Sequence, residues 1–173
     1  MKIVVLTVGV LIVVAVLGLL LYGRSKLQPD GSLLLRSQAP LQAADERSFD
    51  RIISPDGLRA WWLGPLGAVE TSAHWPRQGE KMTFQMGRNL VSYVVQSLDR
   101  PRRVVALAEY PDGRSEITQE FLGPADGGPA YRKTVVLRVN PGSGILKTWF
   151  LGAIVGISVP FEVKRAAAYA DMK

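Results

Sequence analysis

From Ile3 to Tyr22 the chain runs twenty residues, IVVLTVGVLIVVAVLGLLLY, without a charge, and Gly23, Arg24, Ser25 and Lys26 follow at once. At about 1.5 Å per residue a helix of this length covers about 30 Å, the thickness of a bilayer's hydrocarbon core. It is apolar on every side, whereas a core helix of a small domain keeps a polar face. A secretory signal pairs an apolar stretch of about 7 to 15 residues with a small-x-small cleavage site. This run is longer and ends in Leu-Leu-Leu-Tyr with no Ala-x-Ala behind it. The expectation is a retained single-pass anchor in the cell membrane, crossing with residues 3–22 of a segment 1–26. Arg24, Lys26 and Arg36 follow the span and only Lys2 and the amino terminus precede it. That asymmetry leans the rest of the chain toward the cytoplasm.

Residues 27–32 carry QPDGS, the turn chemistry of a short linker. What remains, 33–173, is about the right size for one domain with its own core. The chain has no cysteine, so no disulfide bears on its compartment. Its formal charge of +6 is spread through mixed pairs, with Arg100, Arg102 and Arg103 around Pro101 as the one basic knot. No basic aromatic face for bases is visible, and no nucleic-acid partner is expected.

Within the domain the hydrophobic period changes twice. LLLRSQAPL is a short strand ending at Pro40. LQAADERSFDRIIS then places Leu41, Ala44, Phe49, Ile52 and Ile53 partly at helical spacing, which predicts one short helix stopped at Ser54-Pro55-Asp56-Gly57, with a half-helix or turn in LRAWW. From Ala68 the period is two. Strands are expected over 68–73, 81–86, 90–98, 104–110, 116–122 and 131–139, separated by short turns such as Arg77-Gln78-Gly79 and Pro111-Asp112-Gly113. Connections this short join consecutive antiparallel strands. From about Ser143 a long helix follows, apolar in its first half and expected to kink or restart at Pro160. Its fourteen uncharged residues between Lys147 and Glu162 fall short of the roughly 17 to 25 that a span needs.

Part of this pattern resembles a known family. Trp75, Pro76 and Gly79, then Asp99, Pro101 and Arg103, then Gly113, Glu116 and Glu120, together with SPDGLRAWW upstream, are similar to the SRPBCC superfamily, the START-like group often labelled polyketide cyclase/dehydrase. The resemblance implies an α+β helix-grip fold: about seven antiparallel strands curved around a long C-terminal helix, here preceded by one transmembrane helix. It also implies that Trp75 and Pro76 close the second strand. The segment after Ala39-Pro40 departs from the family pattern, because eight residues separate Pro40 from Phe49.

His74, the only histidine, has no nucleophile or orienting carboxylate in a recognisable pattern, and one histidine cannot build a typical zinc set. It is read as a strand-edge structural residue. No catalytic residue, metal site or cofactor is expected. A curved sheet under one helix leaves an interior filled by large side chains or by a ligand. If a ligand, the cavity is expected to be lined by Trp62, Trp75, Phe84, Tyr93, Phe121, Trp149 and Phe150. The reading is a membrane-anchored domain that binds a hydrophobic or lipid-like small molecule. Its rivals are a non-catalytic accessory subunit of a membrane complex, for which Gly9 and Gly18 in the span give thin support, and a polyketide cyclase or aromatase-type enzyme.

Overall fold

The computed structural model describes the backbone of residues 2–62 and 66–172 and the side chains from residue 11 onward. Helix α1 covers Lys2–Arg24 and strand β1 covers Leu33–Pro40. Helices α2 (Glu46–Ile53) and α3 (Pro55–Trp61) follow. Six strands come next: β2 (Leu66–Thr71), β3 (Lys81–Met86), β4 (Asn89–Asp99), β5 (Arg103–Tyr110), β6 (Gly113–Leu122) and β7 (Ala130–Val139). Helix α4, Ile145–Ala170, ends the chain. The strands form one antiparallel sheet in the order β1-β7-β6-β5-β4-β3-β2, so every neighbour but the β1–β7 pair is consecutive in sequence. This is the α+β helix-grip arrangement.

Alternation decides which face of the sheet is buried. Tyr131, Lys133, Val135 and Leu137 of β7, and Ser115, Ile117, Gln119 and Phe121 of β6, point to the side covered by the helices. α4 meets them with Val159, Glu162, Val163, Ala166 and Ala167. It runs unbroken through Pro160 as one 26-residue helix, so the expected restart does not occur. Packing of its buried face against the sheet outweighs the single lost backbone bond.

Ser54 is a junction rather than a stop. Asp45 caps α2 by accepting from the Ser48 N–H at 2.8 Å. Ser54 caps the end of α2 and also begins α3, its hydroxyl accepting from the Gly57 N–H at 2.9 Å. Pro55 sits at the first helical position, where a missing N–H costs nothing. Arg100 of the basic knot pairs with Glu46 (2.8 Å) and Asp50 (2.5 Å) and lies over the Phe49 ring, tying the β4–β5 turn to α2.

The segment read as a linker is a closed turn: the Gln28 N–H donates to the Ser32 carbonyl at 2.7 Å, and Asp30 accepts from the Ser32 N–H and hydroxyl. α1 therefore arrives at the domain directly. Its last turn packs on α4, with the Tyr22 hydroxyl donating to the Gly156 carbonyl at 3.1 Å. Gly23 is buried so close to α4 that a Cβ there would collide with the Trp149 carbonyl. Small residues let two helix backbones approach in this way. One turn earlier Gly18 has nothing within 4 Å, and Leu11 to Leu17 stand exposed. The surroundings of Gly9 lie outside the described residues.

β2 ends at Thr71, so His74, Trp75 and Pro76 lie in the following turn and do not close a strand. His74 is exposed there, a turn residue rather than a strand-edge one, because the chain needs Ser72 to Glu80 to reverse into β3. Gly79, at φ 82°, takes the left-handed conformation this reversal requires.

Candidate functional site

The inward face of β7 carries one charged side chain, Lys133, between Tyr131 and Val135. A lysine enters an apolar interior at a heavy desolvation cost unless a partner of good geometry comes with it. α4 supplies one: Glu162 Oε2 lies 2.6 Å from Lys133 Nζ. Glu162 is only 5% exposed and Lys133 only 2%. The Trp61 ring stands 4.6 Å and the Trp62 ring 6.0 Å from the same ammonium, adding cation–π attraction. Trp61 is fixed in turn by its indole N–H, which donates to the Ile52 carbonyl at 2.9 Å.

The pair borders a cavity of about 410 Å³ between β5–β7 and α4. Ser115, Ile117, Val135 and Leu137 form the sheet side, and Leu151, Ile154, Val155 and Ser158 the helix side. Trp62, Lys133 and Glu162 stand together in the wall. Asn89, Pro111, Asp112 and Ile154 are exposed lining residues and mark where it opens. Two small residues, Gly113 and Ser115, stand in the lining at the β5–β6 turn. A Cβ at Gly113 would strike the Arg138 carbonyl, and Ser115 follows two positions on. Tyr110 adds a phenol at the turn; burial pushes its pKa up to about 12, so the hydroxyl stays neutral. The volume and lining, mostly apolar with a few convergent polar groups, are those of small-molecule sites.

Beside the cavity the interior carries a chain of hydrogen-bonded side chains. Tyr131 donates to Gln119 Oε1 at 2.5 Å, and Gln119 Nε2 donates to the Tyr93 hydroxyl at 2.8 Å. Burial holds both phenols well above the usual tyrosine range. Phe49, Phe121 and Tyr131 stack beside this chain with centroids 5.1 and 5.4 Å apart.

The seven aromatic residues expected at a cavity are thus distributed. Trp62 lines the cavity, with Phe84 against its ring at 5.6 Å. Trp75 packs edge-on to Tyr93 at 5.9 Å and donates to the Ile53 carbonyl, while Phe121 packs against Phe49 and Tyr131. Trp149 lies under the Arg24 guanidinium where α1 meets α4, and Phe150 is exposed. The helical period turns both away from the face that carries Leu151, Val155, Ser158 and Glu162. Sequence reasoning misses Lys133 and Glu162. Their signal is position: Lys133 has the inward parity of Tyr131, Val135 and Leu137, and Glu162 stands among buried Val159, Val163 and Ala166. Among the described residues no cluster of histidine, cysteine, aspartate and glutamate could hold a metal ion.

No protein-family model matches the chain, and no curated protein matches it either. Solved structures do. TTHA0849 from Thermus thermophilus aligns with a TM-score of 0.60 at 18% identity, covering 79% of this chain and 96% of its own. CalU16 from Micromonospora echinospora gives 0.53 at 16%, covering 84% and 81%. The di-domain ARO/CYC protein BexL of the BE-7585A biosynthetic pathway gives 0.61 at 12%, covering 84% of this chain and 52% of its own. At these identities the likeness is one of architecture alone, and the chain shares with them the helix-grip fold.

Proposed function

We propose that the protein is a membrane-anchored helix-grip domain whose cavity binds a hydrophobic or lipid-like small molecule. The observation that carries this reading is the 410 Å³ apolar cavity with the Lys133–Glu162 pair in its wall. Apolar walls take the body of such a ligand. The ion pair offers an ammonium donor and a carboxylate acceptor to one polar group at its end. The anchor reading rests on the uncharged run that forms most of α1. α4 is also long and apolar enough to cross a membrane by length and composition, but its buried face is committed to the sheet. One of the similar structures, the ARO/CYC protein, belongs to a biosynthetic pathway and hence to small-molecule chemistry, which supports the ligand class.

The test is thermal shift of the full-length protein in mild detergent against a panel of lipids, quinones and polyketides. A ligand present at 100 times its Kd stabilises by about 2.7 kcal/mol. The reading requires at least one class to raise Tm in the wild type and not in a variant whose cavity is filled by Val155→Trp.

A second reading is favoured by the buried Lys133–Glu162 pair: an ammonium and a carboxylate side by side in a cavity wall are the groups that a cyclase or aromatase-type enzyme could use for proton transfer. It requires that the wild type convert a bound ligand and that Glu162→Gln slow that conversion by a larger factor than it weakens binding of the same ligand.

A further inference from the structure

The outer face of α4 is apolar along most of its length. Leu146, Phe150, Ile154, Ile157 and Phe161 recur every three or four residues, which places them on one side of the helix, and each is between 45% and 61% exposed. The stripe extends about 22 Å at the helical rise. An exposed apolar band of this length calls for a partner surface.

We infer that this stripe lies in the membrane interface, with α4 parallel to the bilayer surface beside the point where α1 enters it. The inference rests on the anchor reading above. Four features of the molecule select lipid as the occupant. The Gly23, Gly152 and Gly156 seam fixes α1 directly on α4, so an anchored α1 brings this helix to the bilayer without a slack tether. The neighbouring face of α4, with Trp149, Gly152, Ala153 and Gly156, is the one α1 occupies, and the exposed shaft of α1 from Leu11 to Leu17 continues the apolar surface away from the domain. Basic residues flank the stripe, with Lys164 at one end and Arg24 and Lys26 at the α1 junction, as in helices that lie on anionic lipid with their cations at headgroup depth; Lys147 at the other end is paired with Asp112. Finally, Ile154 belongs both to the stripe and to the cavity lining. A stripe seated in the interface therefore places the cavity opening at the acyl boundary, where a lipid-like ligand can pass without crossing water.

The chain has no cysteine, so single-cysteine variants of the full-length protein can be labelled cleanly with a polarity-sensitive fluorophore. Phe150→Cys and Ile157→Cys report the stripe, Val14→Cys reports α1, and Glu116→Cys on the far face of the sheet is the control. Each is reconstituted into phosphatidylcholine/phosphatidylglycerol vesicles, with and without lipids carrying a quencher on the acyl chain. The inference predicts quenching at 14, 150 and 157 several-fold above that at 116. Quenching at 14 without quenching at 150 and 157 overturns the docking of α4 and leaves the anchor standing. Labels at 150 and 157 shielded from water yet insensitive to the lipid quencher mean that protein, such as a second copy, covers the stripe, and this also overturns it. Absence of quenching at 14 removes the anchor and the docking together.

Discussion

Lys133 of β7 and Glu162 of α4 meet at 2.6 Å across the interior of the sheet–helix sandwich, both almost fully removed from solvent. The contact couples the last strand to the last helix at the wall of the cavity.

Breaking that pair from one side should be costly. Lys133→Met leaves a buried carboxylate without its cation, a loss of about 3–5 kcal/mol. The double variant Lys133→Met/Glu162→Leu removes both charges and should recover most of that loss, since well-packed apolar replacements of buried pairs are often neutral. Urea denaturation of the wild type, both single variants and the double variant closes the cycle; additive losses contradict the assignment.

The α1–α4 seam predicts a contrast between two glycines five positions apart. Gly23→Ala places a methyl against the Trp149 carbonyl and must push the helices apart, whereas Gly18→Ala enters open space. In detergent, Gly23→Ala should speed proteolysis of the turn at residues 25–31 and lower Tm, while Gly18→Ala should match the wild type. Equal behaviour of the two would deny the seam.

The buried phenols bear on alkaline stability. Burial raises Tyr93, Tyr110 and Tyr131 in the folded state. Their folded pKa values exceed the unfolded value of about 10, so the stabilisation is complete below that pH and is lost as pH rises toward the folded values. Tyrosinate absorbance at about pH 11 should therefore fall short of the five tyrosines of the chain until denaturant is added.

At acid pH the relevant group is Glu120. Its bidentate pairing with Arg132, at 2.7 and 2.8 Å, holds the carboxyl below the ordinary range against the opposing effect of partial burial. A depressed folded pKa gives stability that is present above about pH 4.3 and is lost as pH falls through the folded value. Urea midpoints measured from neutral to acid pH should drop more steeply for the wild type than for Glu120→Gln.

Much of the fold was legible because its signals are local. Two-residue alternation with Gly79 and Gly113 at the turns located the strands, and the apolar run after Ser143 located α4. Two boundaries were not legible. Ser54-Pro55 reads as a stop, yet Ser54 can cap two helices at once. Pro160 reads as a break, yet the sheet packed beneath α4 keeps it continuous. The cavity was hidden for a different reason. Large aromatic residues attract attention as ligand walls, but Tyr93, Phe121 and Tyr131 pack around Gln119, and the cavity is lined mainly by aliphatic and small residues of β6, β7 and α4. The meeting of Lys133 with Glu162 is a long-range pairing that no local period announces.

The most direct test of the central claim is what the cavity holds. Full-length protein purified in mild detergent, and the Val155→Trp variant prepared in parallel, are extracted with organic solvent and the extracts compared by mass spectrometry. The account predicts one amphipathic species at near-stoichiometric amount from the wild type and its loss from the variant. An empty wild-type extract, or the same material from both proteins, would contradict it.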